Sequence, residues 1–249
     1  MVYFVVYRSS ESLKERVEIA QKLRMLECRR ICRSFWQVEN EKISDVMRVL
    51  RKNSPIILKR IREKRKPRFD KDGISIDLGS LVIVAYHFPK DVNKGQIGNL
   101  LRASPCIRLC RGVYAFSQFQ DILDGDRSLV DARSFLDLIR RIDENAIMIP
   151  RVVVVNEQSV QRMLGDVRKR IEREIDAIIE GYNDLIARVR NGEIDEQLAK
   201  KIRRKFKRRF ILVKKLASFY KEWMGIDFAY ALMRPYAAIR KVRLIADSK

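Results

Sequence analysis

Residues 28–36 read CRRICRSFW and residues 106–114 read CIRLCRGVY. Laid over each other they give Cys-x-Arg-Ile/Leu-Cys-Arg-Ser/Gly-Phe/Val-Trp/Tyr, with Cys106 and Cys110 following Cys28 and Cys32 at the same offset of 78 residues. Such a repeat offers two chemistries. Four thiols in matched pairs could hold zinc or close disulfides, and repeated guanidiniums could bind phosphate. Spacing argues against either cysteine pair acting alone, because four extended steps of ~3.3 Å place its sulfurs ~13 Å apart, beyond one metal ion or one S–S bond. Buried thiols are the leading reading, a disulfide between the two copies the second and a zinc site the third. The feature copied is then the strand with its arginines: Arg30 and Arg108 at matching places, with Arg33 and Arg111 on the other strand face. The competing reading pairs these arginines with acids of neighbouring helices.

Two basic runs raise the same chemistry elsewhere. KRIREKRKPR (59–68) carries seven basic residues against one acid, and KKIRRKFKRRFILVKK (200–215) carries ten and no acid. A solvated helical face ordinarily mixes signs for i,i+4 pairing, as RKRIEREIDAIIE (168–180) does. With 53 Lys and Arg against 32 Asp and Glu, the net charge is +21, and a one-signed run adds repulsion unless a polyanion lies against it. Lys201, Arg204, Lys205 and Arg208 are therefore candidate phosphate contacts. Phe206 and Phe210 fall on the apolar seam of the same segment and read as core, not as base-stacking platforms.

Other site chemistry is sparse. No GxxxxGK[ST], GxGxxG after a strand, HExxH or GxSxG occurs, and His87 is the only histidine. Asp70, Asp72 and Asp77 and the stretch DILDGDR (121–127) read as turn chemistry. No catalytic residue, metal site or cofactor is expected.

The elements that must carry these residues follow from periodicity. VYFVVYRS (2–9) reads as a strand, 10–27 as a helix opening at Ser10, RRICRSFWQVE as a strand pair or one bent strand, 42–52 as a helix and 54–61 as a strand, in the order βαββαβ. After a basic linker with an edge strand at 74–78, the pattern restarts: strand 81–89, helix 93–104, strand pair 106–119 turning at Gly112, helix 129–146 and strand 147–156. From Val160 the period becomes helical, with one seam running from Val160 to Val189 and another from Leu198 to Tyr220 across Asn191-Gly192. This predicts a long antiparallel hairpin, followed by an amphipathic segment (228–242) broken at Pro235. The expected fold class is α+β: two tandem ferredoxin-like βαββαβ units (1–62 and 80–156) forming a pseudo-dimer packed sheet against sheet, joined by linker 63–79 and followed by the helical region 157–249. Hydrophobic residues at 47% and charged residues at 34% are a globular balance. The apolar runs are strand-sized and no leader is recognised, so no membrane insertion and a cytoplasmic location with reduced thiols are expected.

VVYRSS, followed by a helix and RRICRSFWQVE, resembles the CRISPR adaptation family called Cas-two, whose first strand reads like VVYDIS and whose later strand reads like L-R-V-Q-x-S-V-F-E. Arg30, Ile31, Ser34 and Trp36 fall on its Arg, Val, Ser and final Phe. Arg108, Leu109, Gly112 and Tyr114 do so in the second copy, where VAYHFP matches the first strand. The resemblance covers about residues 1–60 and 80–156. The same half is shared with the C-terminal domains of phenylacetate-type repressors, and a helical hairpin on such a half is similar to the chromate-resistance regulators. The resemblance implies two domains paired into a saddle on duplex DNA phosphates. It also implies a nuclease site built on an Asp closing the first strand of each domain. Those positions are Arg8 and His87 here, and a guanidinium cannot ligate a hard cation.

The expected function is a non-enzymatic nucleic-acid-binding protein, contacting DNA or RNA through phosphates at Arg30, Arg33, Arg108, Arg111 and the four hairpin cations. A protein-assembly or regulatory module whose hairpin docks a partner protein is the alternative. A divergent metal-dependent nuclease is third.

Overall fold

The computed structural model describes residues 2–8, 12–87, 94–119 and 128–246. The chain is α+β, with an eight-stranded antiparallel sheet and long helices at the C-terminus. It divides into two compact units, 1–164 and 165–249.

The strands of the first unit follow from apolar alternation. β1 (Val2–Val6) turns Val5 toward helices α1 (Leu13–Met25) and α2 (Ile43–Leu50), and Phe4 and Val6 the other way. β2 (Arg29–Cys32) and β3 (Phe35–Glu39) form a hairpin turning at Arg33-Ser34, and β4 (Ile56–Arg60) pairs on the far side of β1. Helix α1 is capped by Ser12, whose hydroxyl accepts from the Glu15 N–H; Ser10, the expected start, lies outside the described residues. The segment read as a linker holds a small hairpin, β5 (Arg68–Phe69) with β6 (Ser75–Asp77). Its turn is made by Asp70, which accepts from the Asp72 and Ile74 N–H groups.

The pattern then repeats with β7 (Leu81–Ala85), α3 (Lys94–Ala103), β8 (Cys106–Cys110), β9 (Val113–Ser117), α4 (Ala132–Arg140) and β10 (Ile147–Val154). Gly112 makes the β8–β9 turn at φ 82°, and a Cβ there would stand 2.4 Å from the Tyr86 carbonyl oxygen, so no larger residue fits.

The strand order across the sheet is β2-β3-β1-β4-β10-β7-β9-β8. Each half thus has the same internal order, and β4 and β10 join the halves edge to edge through Lys59↔Val153 and Leu58↔Val154. A bulge between Ile149 and Val152 lets β10 serve both neighbours. Arg151, at φ 57° within it, is held by the Gln118 side chain on its N–H and by the Arg62 carbonyl on its guanidinium.

Helices cover only one face of each half. The other face, carrying Phe4, Val6, Phe35 and Leu58 in the first half and Leu81, Ile83, Val113 and Ala115 in the second, is nevertheless buried. The halves share one sheet where two packed sheets were expected, and the Cys32 and Cys110 thiols of its two edge strands lie near enough to shift one another's pKa.

α5 (Glu157–Arg190) starts at the end of the first unit, and within the second unit it runs antiparallel to α6 (Glu196–Met224), matching Tyr182 with Phe206, Glu174 with Arg209 and Arg170 with Tyr220. A Cβ on Gly181 would fall 2.1 Å from the Phe206 ring, so a larger residue there must displace that ring. α7 (Ala229–Met233) and α8 (Pro235–Ala246) are separated at Pro235, as that residue predicts. No helix among the described residues is long and apolar enough to cross a membrane.

Candidate nucleic-acid interface

The repeated stretches lie on the two edge strands. β8 is buried on both faces except at Arg108: Cys106, Ile107, Leu109 and Cys110 are buried and Arg108 is exposed. In β2, Cys28 just before the strand and Cys32 at its end are buried and Arg30 is exposed. All four cysteines are free thiols. Cys110 and Cys32 share a hydrogen bond that holds the Cys32 thiol below its ordinary range and, with burial, pushes Cys110 up.

Arg30 lies opposite Trp36 in the ladder, and its guanidinium stands 5.8 Å from the centre of that buried ring while Nε donates to the Cys32 carbonyl at 3.3 Å. Arg108 lies opposite Tyr114 in the same way. Burial raises the phenols of Tyr7, Tyr86 and Tyr114, while Arg30 draws Tyr7 back down and Arg108 does the same for Tyr86 and Tyr114. Arg33 and Arg111 occupy the two tight turns and are exposed.

The cations of α6 sit differently. Asp195 caps the helix by accepting from the Leu198 N–H at 2.6 Å, and Gly225 ends it in the left-handed conformation. Lys200 pairs with Glu196, and Arg209 with Glu174 at 2.7 Å. Lys201, Arg204, Lys205 and Arg208 are all exposed, and among the described residues no carboxylate pairs with any of them. Their i, i+3, i+4, i+7 spacing makes one strip ~10 Å long. Helix energetics do not favour this placement: cations in the N-terminal half lie on the wrong side for the helix dipole, and like charges four residues apart repel. Leu198, expected on the seam, is 41% exposed, whereas Phe210, Val213, Ala217 and Tyr220 are buried.

The run 59–68 begins on β4, where Lys59 lies over the Tyr3 ring at 5.7 Å, and continues exposed through Arg60, Arg62, Lys64, Arg65 and Lys66. Arg8 and His87 stand just past β1 and β7, both exposed. The His87 N–H donates to the Asp143 carboxylate at 2.7 Å. Asp77 is used by the Gly79 N–H and by Arg68, and residues 121–127 lie outside the described residues. No three His, Cys, Asp or Glu side chains gather for a metal among the described residues.

Sequence reasoning missed two things here. Lys207 is exposed like its neighbours, at a position one turn before Ile211 and two before Lys214. Tyr230, Met233 and Tyr236 are exposed at a three-residue spacing that reads as core. No family model, no curated protein and no solved structure matches the chain.

Proposed function

We propose that this chain is a non-enzymatic nucleic-acid-binding protein that holds DNA or RNA by its phosphates. The observation that carries the reading is the strip Lys201–Arg204–Lys205–Arg208, exposed, one-signed and without a carboxylate partner among the described residues, in a chain of net charge +21. In this reading the strand-bearing unit is a fused pseudo-dimer of two ferredoxin-like halves. Support comes from the identical strand order in each half, the buried helix-free faces and the meeting of the two edge strands. Arg30, Arg33, Arg108 and Arg111 would then form a second phosphate surface, the saddle implied by the Cas-two resemblance. Arg8 and His87 stand where that family places metal-binding carboxylates, so binding without cleavage is the corresponding expectation.

A salt titration tests it. Affinity for duplex DNA should fall with a log–log slope of ~−0.9 per phosphate neutralised. A flat slope would overturn the reading and favour a hairpin that docks a protein, for which the exposed Leu198 and Ile211 beside the strip are the motivating observation. Cleavage in Mg²⁺ that disappears with a substitution in this chain would restore the nuclease reading.

A further inference from the structure

The last two helices carry a surface that backbone contacts with a duplex do not explain. Tyr230 (87% exposed) and Met233 (65%) lie on α7, and Tyr236 (36%) opens α8, where its ring meets α6. Such side chains ordinarily anchor a core or an interface. They stand on a fixed base. Ile226 and Phe228 are buried, Asp227 accepts from the Ala229 N–H at 2.7 Å and pairs with Lys221, and the Arg234 guanidinium donates to Asp176 of α5 at 2.7 Å. The rings are therefore presented by a held helix.

Cations lead directly to this patch. Lys207, Ile211 and Lys214 follow one another along α6 at i, i+4 and i+7, all exposed. Lys214 Nζ donates to the Tyr236 hydroxyl at 3.4 Å, and the Tyr236 ring meets Phe210 edge-on at 5.5 Å. An aromatic ring beside Lys214, with Lys207 two turns before it on α6, makes the combination that unpaired nucleotides require, stacking for the base and positive charge for the phosphate. A duplex buries its base faces and could use only the lysines. A membrane surface would call for a longer continuous apolar face than three side chains.

We propose that the Tyr230–Met233–Tyr236 patch is a stacking site for unpaired bases of a single-stranded nucleic acid whose phosphates follow Lys207 and Lys214. This rests on the phosphate-binding reading above and adds to it a preference for strands with unpaired nucleotides.

The test compares a 20-nucleotide oligo(dT) with a 20-base-pair duplex, using the full-length chain, its Tyr230→Ala variant and its Tyr230→Phe variant. Tyr230→Ala should weaken oligo(dT) binding about 5- to 150-fold and leave duplex binding within twofold, and Tyr230→Phe, which keeps the ring, should bind as the parent does. An unchanged oligo(dT) affinity in Tyr230→Ala overturns the stacking site while leaving salt-dependent duplex binding intact. If the parent chain binds neither probe, both readings fall together. Equal losses on both probes, a shift from dimer to monomer in sedimentation of Tyr230→Ala, or Tyr230-dependent binding to phosphatidylserine vesicles would each assign the patch to another role and overturn the proposal.

Discussion

The arginines of the edge strands and the cations of α6 are all exposed, yet their surroundings differ. Arg30 is engaged by the Trp36 ring and the Cys32 carbonyl, and Arg108, opposite Tyr114 in the ladder, draws down the phenols of Tyr86 and Tyr114. Lys201, Arg204, Lys205 and Arg208 touch no carboxylate among the described residues. A guanidinium engaged by its own fold must give up those contacts, or share them, before it serves a phosphate. A cation without such contacts gives up only water and repulsion from its neighbours. Equal positive charge therefore does not mean equal contribution to binding, and the helical strip should dominate.

The strongest way to break this comparison is to neutralise the strip. Replacing Lys201, Arg204, Lys205 and Arg208 with Gln should reduce the magnitude of the salt slope on duplex DNA by about 3.6, at ~0.9 per lost contact. Thermal stability should hold or rise by a few tenths of a kcal/mol as repulsion is relieved. An unchanged slope would mean that the strip does not touch phosphate.

Next in size is the support of the strip. Gly181→Ala pushes a methyl into the Phe206 ring and should destabilise the α5–α6 pairing by about 1–3 kcal/mol in urea unfolding. A variant as stable as the parent would show that the helices separate there at little cost.

Removing Arg30 and Arg108 together should change the salt slope by no more than about 1.8. It should also lower stability, by about 1 kcal/mol for the Arg30 contacts, because packing is lost along with charge. If the two arginines act as one saddle, the double variant binds more weakly than either single one. A slope change as large as that of the helical set would reverse the ranking of the two surfaces.

The smallest effect concerns the phenols beside those arginines. Tyr7, Tyr86 and Tyr114 all have pKa values raised in the fold, chiefly by burial. Their contribution to stability is complete below the ordinary value near 10 and is lost as pH rises above it, since the unfolded chain ionises first. Stability should be flat with respect to these groups at neutral pH and decline above about pH 10. Absorbance near 295 nm should show some tyrosines titrating only with unfolding. Arg108→Ala should delay Tyr86 and Tyr114 further.

Much of this architecture was legible in the sequence, because strand alternation and helical seams are local patterns. Val5 against Phe4 in β1, or Ile171, Ile175 and Ile178 along α5, declare their faces by spacing alone. Of the β5–β6 hairpin, β6 was legible as the edge strand at 74–78, whereas β5 was hidden because it is only two residues long within a charged run, although Asp72-Gly73 marked the turn. The meeting of Cys32 with Cys110 depends on how the sheet bends, which the spacing within either copy does not encode. The exposed cations of α6 were legible from the single sign of the run. The aromatic patch was not: Tyr230, Met233 and Tyr236 have the spacing of a buried stripe, and the break at Pro235 and the tie from Arg234 to Asp176 fix where they face.

The β4–β10 junction bears on how the chain is made. On the ribosome, the outer edge of β4 emerges long before its partner, since Leu58 pairs with Val154. At synthesis rates of 5–20 residues per second that edge stands open for about 5–20 s. An unprotected apolar edge in such an interval invites pairing with another nascent chain. β4 ends in Lys59 and Arg60 and runs on into the basic segment, so two nascent copies would repel each other where they would have to join, while β10 offers Val152, Val153 and Val154 against that same edge. The charge of the run at 59–68 would thereby discourage such pairing during synthesis without any ligand.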